Sequence, residues 1–228
     1  MPEQITILSA GAVSPGLLKV IEAFRRETGD DVKITFATAP ELRKRLGSGE
    51  SADVVIAPPE LLDDWVESGK PQLADRVTVG RVGVGVMVRD GAPLPKIATV
   101  EEFTQSVLDA ASIVYNQAST GLYIEGLFKR LGIAEQLEAE ITRYADFSAV
   151  RDHVGKGRGN EIGFGATTVI IESAGEGLNF VGPLPAQIQN YTTYTAALTA
   201  NAGEAGRALL RYLATPAAKA IFTAAGIE

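Results

Sequence analysis

The chain has 228 residues, of which 46% are hydrophobic and 21% charged, a balance that builds one large domain or two small lobes. A net charge of −7 excludes nucleic acid as a partner, because phosphate neutralisation needs clustered Lys and Arg, and no apolar run reaches the roughly 18 residues of a membrane span. With no cysteine and a single histidine, His153, the chain has no disulfide, no thiolate metal site and no histidine metal cluster, so neither a metal nor another cofactor is expected.

The elements alternate from the start. Ile5-Thr6-Ile7-Leu8 reads as a short apolar strand, followed by SAGAVSP and a helix lined by Leu17, Leu18, Ile21 and Phe24 that stops near Gly29. Pro15 suits the first turn of that helix and Ser14 suits its cap. Val32 to Phe36 is a second strand, and its helix is entered through Thr38, Ala39 and Pro40. Asp53 to Ile56 is a third, followed by APPELLDDWVESG, whose buried face is Leu61, Leu62, Trp65 and Val66. RVGVGVMVR (81–89) is a longer strand with charged ends. SIVY (112–115) leads into NQASTGLYIEGLFKRLG, where Ile124, Leu127, Phe128 and Leu131 recur at helical spacing and Gly132 marks the stop. Ile162 to Gly165 leads to Thr167, Thr168 and another helical segment. Asn179 to Val181 and Tyr194 to Thr199 read as late strands, and residues 203–225 as a helical tail.

Strands alternating with helices predict an α/β architecture with a mostly parallel sheet in each half. The order of elements predicts two lobes. Residues 1–80 with 192–228 form the first, residues 81–191 the second, and two crossing strands join them. Ligands of such sheets bind outside the carboxyl ends of the strands. Five of those ends read SAGAVS, ATAP, APP, NQASTG and GATT, built from small residues, hydroxyls, glycine and proline. They nominate Ser9, Ala10, Gly11, Ala12, Thr38, Ala39, Pro58, Ser119, Thr120, Gly121, Gly165, Ala166 and Thr167. Small side chains let a ligand approach the backbone, and the following helix offers N–H groups without an intrahelical partner. The same residues also serve as ordinary caps and turns. No capping box closes the helix at Ser119, since Leu122 and Tyr123 stand where Glu or Gln would.

The segments TILSAGAVSPGLLKVIEAF and ITFATAPELRKRLGSGESADVVIAPPELLDDWVESG resemble the molybdate-binding-like branch of the type II periplasmic solute-binding proteins. The matching pieces are the first small-residue loop, the turn Phe36-Ala37-Thr38 with Leu42 after it, and Gly49, Ala52 and Asp53 before an apolar strand. TGLYIEGLFKRLG, NEIGFG and RYLATPAAKAIFTAAGI agree in the second half. The resemblance implies a two-lobed, hinge-bending binder that closes on a small anion with hydroxyls and helix-terminal amides. It also implies a ligand-contacting backbone near Phe147. The chain departs from that pattern at Ala12, Ala39 and Pro40, where the oxyanion binders place serines, and near Gly165 and Ala166, where a family tyrosine is missing. Molybdate and tungstate are thereby disfavoured, and an organic carboxylate is favoured.

Arg81 and Arg89 flank the long strand, where either could grip a carboxylate or stand as a solvated strand end. Arg81 is the better placed, at the lobe junction. His153 lies beside the apolar face of a polar helix, and Ser148 suits that helix's cap. Tyr191 and Tyr194 suit the return crossing. The closely spaced glycines of GRVGVGVM continue as strand and make no dinucleotide fingerprint.

The expected function is a substrate-binding protein closing on a small anion, with an ABC-type permease as partner if the protein is secreted. The alternative is a cytoplasmic isomerase of an unsaturated tricarboxylate, of the aconitate isomerase kind, shifting a proton beside a carboxylate. MPEQITILSAG holds no basic segment followed by a long apolar one, so localisation stays open between the periplasm, with a leader removed, and the cytoplasm.

Overall fold

A computed structural model describes residues 4–67 and 73–228. The chain divides into two compact units, Met1–Val82 with Thr193–Glu228, and Gly83–Thr192.

In chain order the first unit holds β1 (Gln4–Ala10), α1 (Ser14–Thr28), β2 (Asp31–Ala37), α2 (Ala39–Gly47), β3 (Val54–Ala57) and α3 (Pro59–Glu67). The chain leaves that unit within β4 (Ala74–Arg89). The second unit continues with α4 (Val100–Leu108), β5 (Ser112–Asn116), α5 (Ser119–Arg130), α6 (Ala134–Leu137), β6 (Ile141–Tyr144), α7 (Phe147–Lys156), β7 (Glu161–Ala166), α8 (Thr167–Ser173) and β8 (Leu178–Pro183). The chain returns within β9 (Tyr191–Leu198) and ends in α9 (Glu204–Leu213) and α10 (Pro216–Ala224).

In the first unit β1 lies parallel between β2 and β3, and β9 runs antiparallel beside β3. A central parallel strand is covered on both faces, which is why β1 reads as a nearly unbroken apolar run. Ile5, Ile7, Leu8, Ser9 and Ala10 are all buried. The buried Ser9 hydroxyl donates to the Ala10 carbonyl at 3.1 Å. Leu17, Val20, Ile21 and Phe24 bury one face of α1, and the C-terminal segment packs against it. At Gly16 a Cβ would come within 2.8 Å of both Phe222 and Ile227. Gly29, at φ 77°, ends α1 in the left-handed conformation that glycine adopts without strain.

In the second unit β5 lies parallel between β6 and β7, while β4 is antiparallel to both β7 and β8. The sheet is therefore mixed. One apolar cluster, with Phe103, Tyr115, Ile124, Phe128 and Phe164, includes buried residues of α4 and α5. A second, with Val114, Val150, Val154 and Ile170, includes those of α7 and α8.

Four local readings change. Ser14 is not a cap: a 3-10 turn over Gly11–Val13 precedes the helix, Val13 holds the cap position, and Ser14 is already helical. The long strand begins at Ala74 instead of Arg81. The tail is two helices, because Thr215 caps a new one by accepting from the Ala218 N–H at 3.2 Å. Asp146, not Ser148, caps α7, its carboxylate accepting from the Ala149 N–H at 3.0 Å. Ser68 and Gly69 at the end of the third predicted helix, and the side chain of Val66, lie outside the described residues.

Candidate functional site

Strand register decides which of the nominated residues share an edge. In the first unit Ala10 pairs with Ala37, and Ser9 with Ile56. The three parallel strands thus finish together. Ser9–Ala12, Thr38–Ala39 and Pro58 stand at one end of one sheet. In the second unit Asn116 pairs with Tyr144, and Val114 with Gly163. Ser119–Gly121, Phe147 and Gly165–Thr167 therefore stand at the carboxyl end of that unit's parallel strands. Apart from Arg81, every nominated residue is uncharged.

The helices that start there lack side-chain caps. Val13 before α1, Thr38 before α2, Ala118 before α5 and Ala166 before α8 make no capping hydrogen bond through a side chain. Thr99 and Thr215 cap helices elsewhere, and Asp146 caps α7 at the second unit's carboxyl edge. The missing cap is not unique to the edge, since Gly203 before α9 provides none either. In each unit, however, two uncapped starts stand at the carboxyl edge, each presenting first-turn N–H groups and the positive end of a helix dipole. Thr38 has a hydroxyl in capping position that is not used for capping. The Asn116 side chain accepts from the Ala118 N–H at 3.2 Å, which fixes the entry to α5.

The glycines of the two edges differ in kind. A Cβ on Gly121 would lie 1.6 Å from the Asn116 carbonyl oxygen, so α5 can start against the end of β5 only with glycine there. A Cβ on Gly11 would meet nothing within 4 Å. Gly121 is thus demanded by packing, whereas Gly11 keeps space open. A Cβ on Gly165 would lie 2.6 Å from the Phe147 ring. Phe147 starts α7 yet reaches the end of β7, a contact between residues 18 positions apart that no local pattern marks.

Arg81 is engaged by the last residue of the chain. Its guanidinium lies 3.0 Å from the Glu228 carboxylate, and the two main chains exchange hydrogen bonds of 2.7 and 3.0 Å. It is more than half exposed. Arg89 sits at the far end of β4, which antiparallel pairing places beside the start of β7 and away from the edge of Gly165–Thr167. His153 is half-buried on α7, its Nδ1 2.9 Å from the Tyr144 hydroxyl. A surface cavity of about 450 Å³ on the opposite face of that sheet involves Tyr115, Glu125, Lys129 and Arg143. Its cations are already engaged, Lys129 with Glu125 at 3.2 Å, and Arg143 with Glu125 at 3.6 Å and with the Tyr115 hydroxyl at 3.1 Å.

Parallel strands flanked by helices, with small neutral residues at their carboxyl ends, make this an α/β protein of mixed sheet. The chain belongs to the bacterial extracellular solute-binding protein family, whose sequence model matches residues 5–228. It is 33% identical over 228 residues to the aconitate isomerase of a Pseudomonas species, covering 95% of this chain and 85% of that protein. It is 24% identical over 226 residues to the molybdate-binding protein ModA of Escherichia coli K12, covering 96% and 86%. Its fold is that of the Azotobacter vinelandii periplasmic molybdate-binding protein, with a TM-score of 0.81, 19% identity and 98% of each chain covered.

Proposed function

We propose that the protein binds a small organic anion carrying two or three carboxylates, and that uncapped strand-end helices supply the donors. The observation that carries this reading is that α1, α2, α5 and α8 start without side-chain caps at strand ends whose nominated residues, Arg81 apart, are uncharged. Such donors suit an anion that must also be released. A micromolar site needs about 8 kcal/mol. Each hydrogen bond to a charged group contributes roughly 1.5–3 kcal/mol, and a helix start adds about 0.3–1 kcal/mol. Four or five such donors suffice after the cost of association. Ala12, Ala39 and Gly165 remove side-chain hydroxyls and bulk, which favours a ligand larger than a tetrahedral oxyanion.

Calorimetric titration tests this against trans-aconitate, cis-aconitate, citrate, molybdate and sulfate. Micromolar binding of a carboxylate with weaker or absent binding of the inorganic anions is the expected result. Binding of no anion at all overturns the reading.

A second reading, isomerisation of an unsaturated tricarboxylate, is favoured by the 33% identity to a protein named for that activity. It needs a group that takes a proton from the carbon beside one carboxylate and returns one to the far end of the migrating double bond. The nominated edge residues supply no carboxylate or imidazole, and His153 is bonded to Tyr144. The ultraviolet absorbance of cis- and trans-aconitate with added protein decides it. A spectrum unchanged at high protein concentration removes aconitate as a substrate.

A further inference from the structure

We propose that the Phe147 ring is a specificity-determining contact, selecting anions with a carbon skeleton over inorganic oxyanions; this deepens the organic-anion reading above and rests on it. Phe147 follows β6, but its ring does not stay beside β6. It lies so close to Gly165 that a Cβ there would be 2.6 Å from its Cε2 and 3.0 Å from its Cδ2. Since β5 lies between β6 and β7, the start of α7 passes across the end of β5, which is where Gln117–Gly121 begins. The ring thus occupies the place that a side chain on residue 165 would take, at the edge shared by Ser119–Gly121 and Ala166–Thr167. It packs against the cluster around Val150 and Ile170 and is only partly buried.

A tetrahedral oxyanion gains nothing from such a surface. An aromatic face strips water from its oxygens and returns no hydrogen bond. A carboxylate on a carbon chain can direct its oxygens to the helix amides and lay its carbon atoms on the ring, which removes apolar surface from water. Gly165 is what leaves room for this arrangement, so ring and glycine act as a pair.

Titration of wild type, Phe147→Ala, Phe147→Leu and Leu94→Ala with trans-aconitate, citrate, sulfate and molybdate tests the proposal. Leu94 is an exposed leucine beyond the end of β4, at the opposite edge, and serves as the control. Phe147→Ala is expected to weaken carboxylate binding at least tenfold while changing inorganic anion affinity less than twofold. Phe147→Leu, which keeps the packing against Ile170, is expected to recover part of that loss, and Leu94→Ala to change nothing. Equal weakening of both anion classes, or unaltered carboxylate binding, overturns the proposal and leaves Phe147 as packing alone. Wild type that binds only inorganic anions overturns it while leaving anion binding intact. Wild type that binds no anion overturns the functional reading and this inference with it.

Discussion

The Asp53 carboxylate accepts two hydrogen bonds from Thr6, one from its main-chain N–H and one from its hydroxyl, both at 2.8 Å. Asp53 stands one residue before β3, where the strand has no main-chain acceptor to offer β1. Its side chain supplies one, and its own N–H donates back to the Thr6 carbonyl at 2.9 Å. The lock fixes β1 against β3 and so sets the level at which Ser9–Ala12 and Pro58 finish. Asp53→Ala leaves the Thr6 donors unmet and is expected to cost about 2–4 kcal/mol, from roughly 1.5–3 kcal/mol per hydrogen bond to a charged group with partial exposure taken into account. Asp53→Asn keeps an acceptor and is expected to cost about half as much. Urea unfolding measures both; equal losses would mean that a neutral acceptor rescues nothing and that the carboxylate charge carries the whole interaction.

Two glycines at the strand ends are expected to respond in opposite ways. Gly121→Ala places a methyl 1.6 Å from the Asn116 carbonyl oxygen, so the start of α5 must move. A loss of about 3 kcal/mol or more is expected, the range of severe overpacking. Gly11→Ala places its methyl in open space and is expected to change stability by less than about 0.5 kcal/mol while weakening anion binding. Thermal melts with and without trans-aconitate separate the two effects. If Gly11→Ala binds as wild type does, the space beside residue 11 is not used by the ligand.

The alternation of strands and helices is legible because most strands are buried apolar runs bounded by small residues. Three elements escape that reading, one of them the single-turn α6 (Ala134–Leu137). β6 (Ile141–Tyr144) has no fully buried residue, so no apolar run marks it. α4 buries only Phe103 and Val107, but it carried a readable signal: Thr99 accepts from the Glu102 N–H at 3.2 Å, and the Glu102 carboxylate accepts from the Ala98 N–H at 3.1 Å. That is the Thr-x-x-Glu pattern of a capping box, shifted by one donor. At the site the loops themselves are legible, because they follow predicted strands. Their internal division is not. Whether a glycine serves packing or space depends on which atoms the fold brings to it, as Asn116 to Gly121 and Phe147 to Gly165 illustrate. Gln189 is a further case. Its side chain accepts from the Val84 N–H at 2.9 Å and donates to the Val84 carbonyl at 3.0 Å, imitating a strand partner from more than a hundred residues away. Nothing local in the sequence announces it.

Glu161 makes acid sensitivity testable at a single residue. Burial pushes its carboxyl up, but the backbone N–H groups of Gly159, Glu161 itself and Arg158, with the Arg89 charge nearby, outweigh burial and hold it below the usual carboxylate range. A depressed folded-state value means that the unfolded chain takes up the proton more readily. The stabilisation is therefore complete above the unfolded value of about 4.3 and is lost as pH falls through the folded value. Wild type is expected to be more stable than Glu161→Gln at pH 7, with the gap narrowing below about pH 4.3. Urea titrations from pH 7 to pH 3 measure it, and a gap that stays constant over that range contradicts the account.

Ligand-linked stability probes the donors at the start of α5. A ligand present at 100 times its dissociation constant stabilises the folded state by about 2.7 kcal/mol. For a chain of this length that is a rise in Tm of roughly 5–10 °C, at about 2–4 °C per kcal/mol. Trans-aconitate is expected to produce such a rise in wild type. The Ser119 and Thr120 side chains form no cap on their own helix, so removing either hydroxyl should leave the unliganded Tm within about 2 °C, the scale of a surface substitution. Each removal takes away a donor to a charged group and is expected to weaken binding by about tenfold or more. Ser119→Ala and Thr120→Ala should therefore melt like wild type without ligand and show a smaller rise with it at the same concentration. A lowered Tm in the unliganded variants would mean that the hydroxyls hold the helix start together, and an undiminished rise would mean that the anion does not reach them.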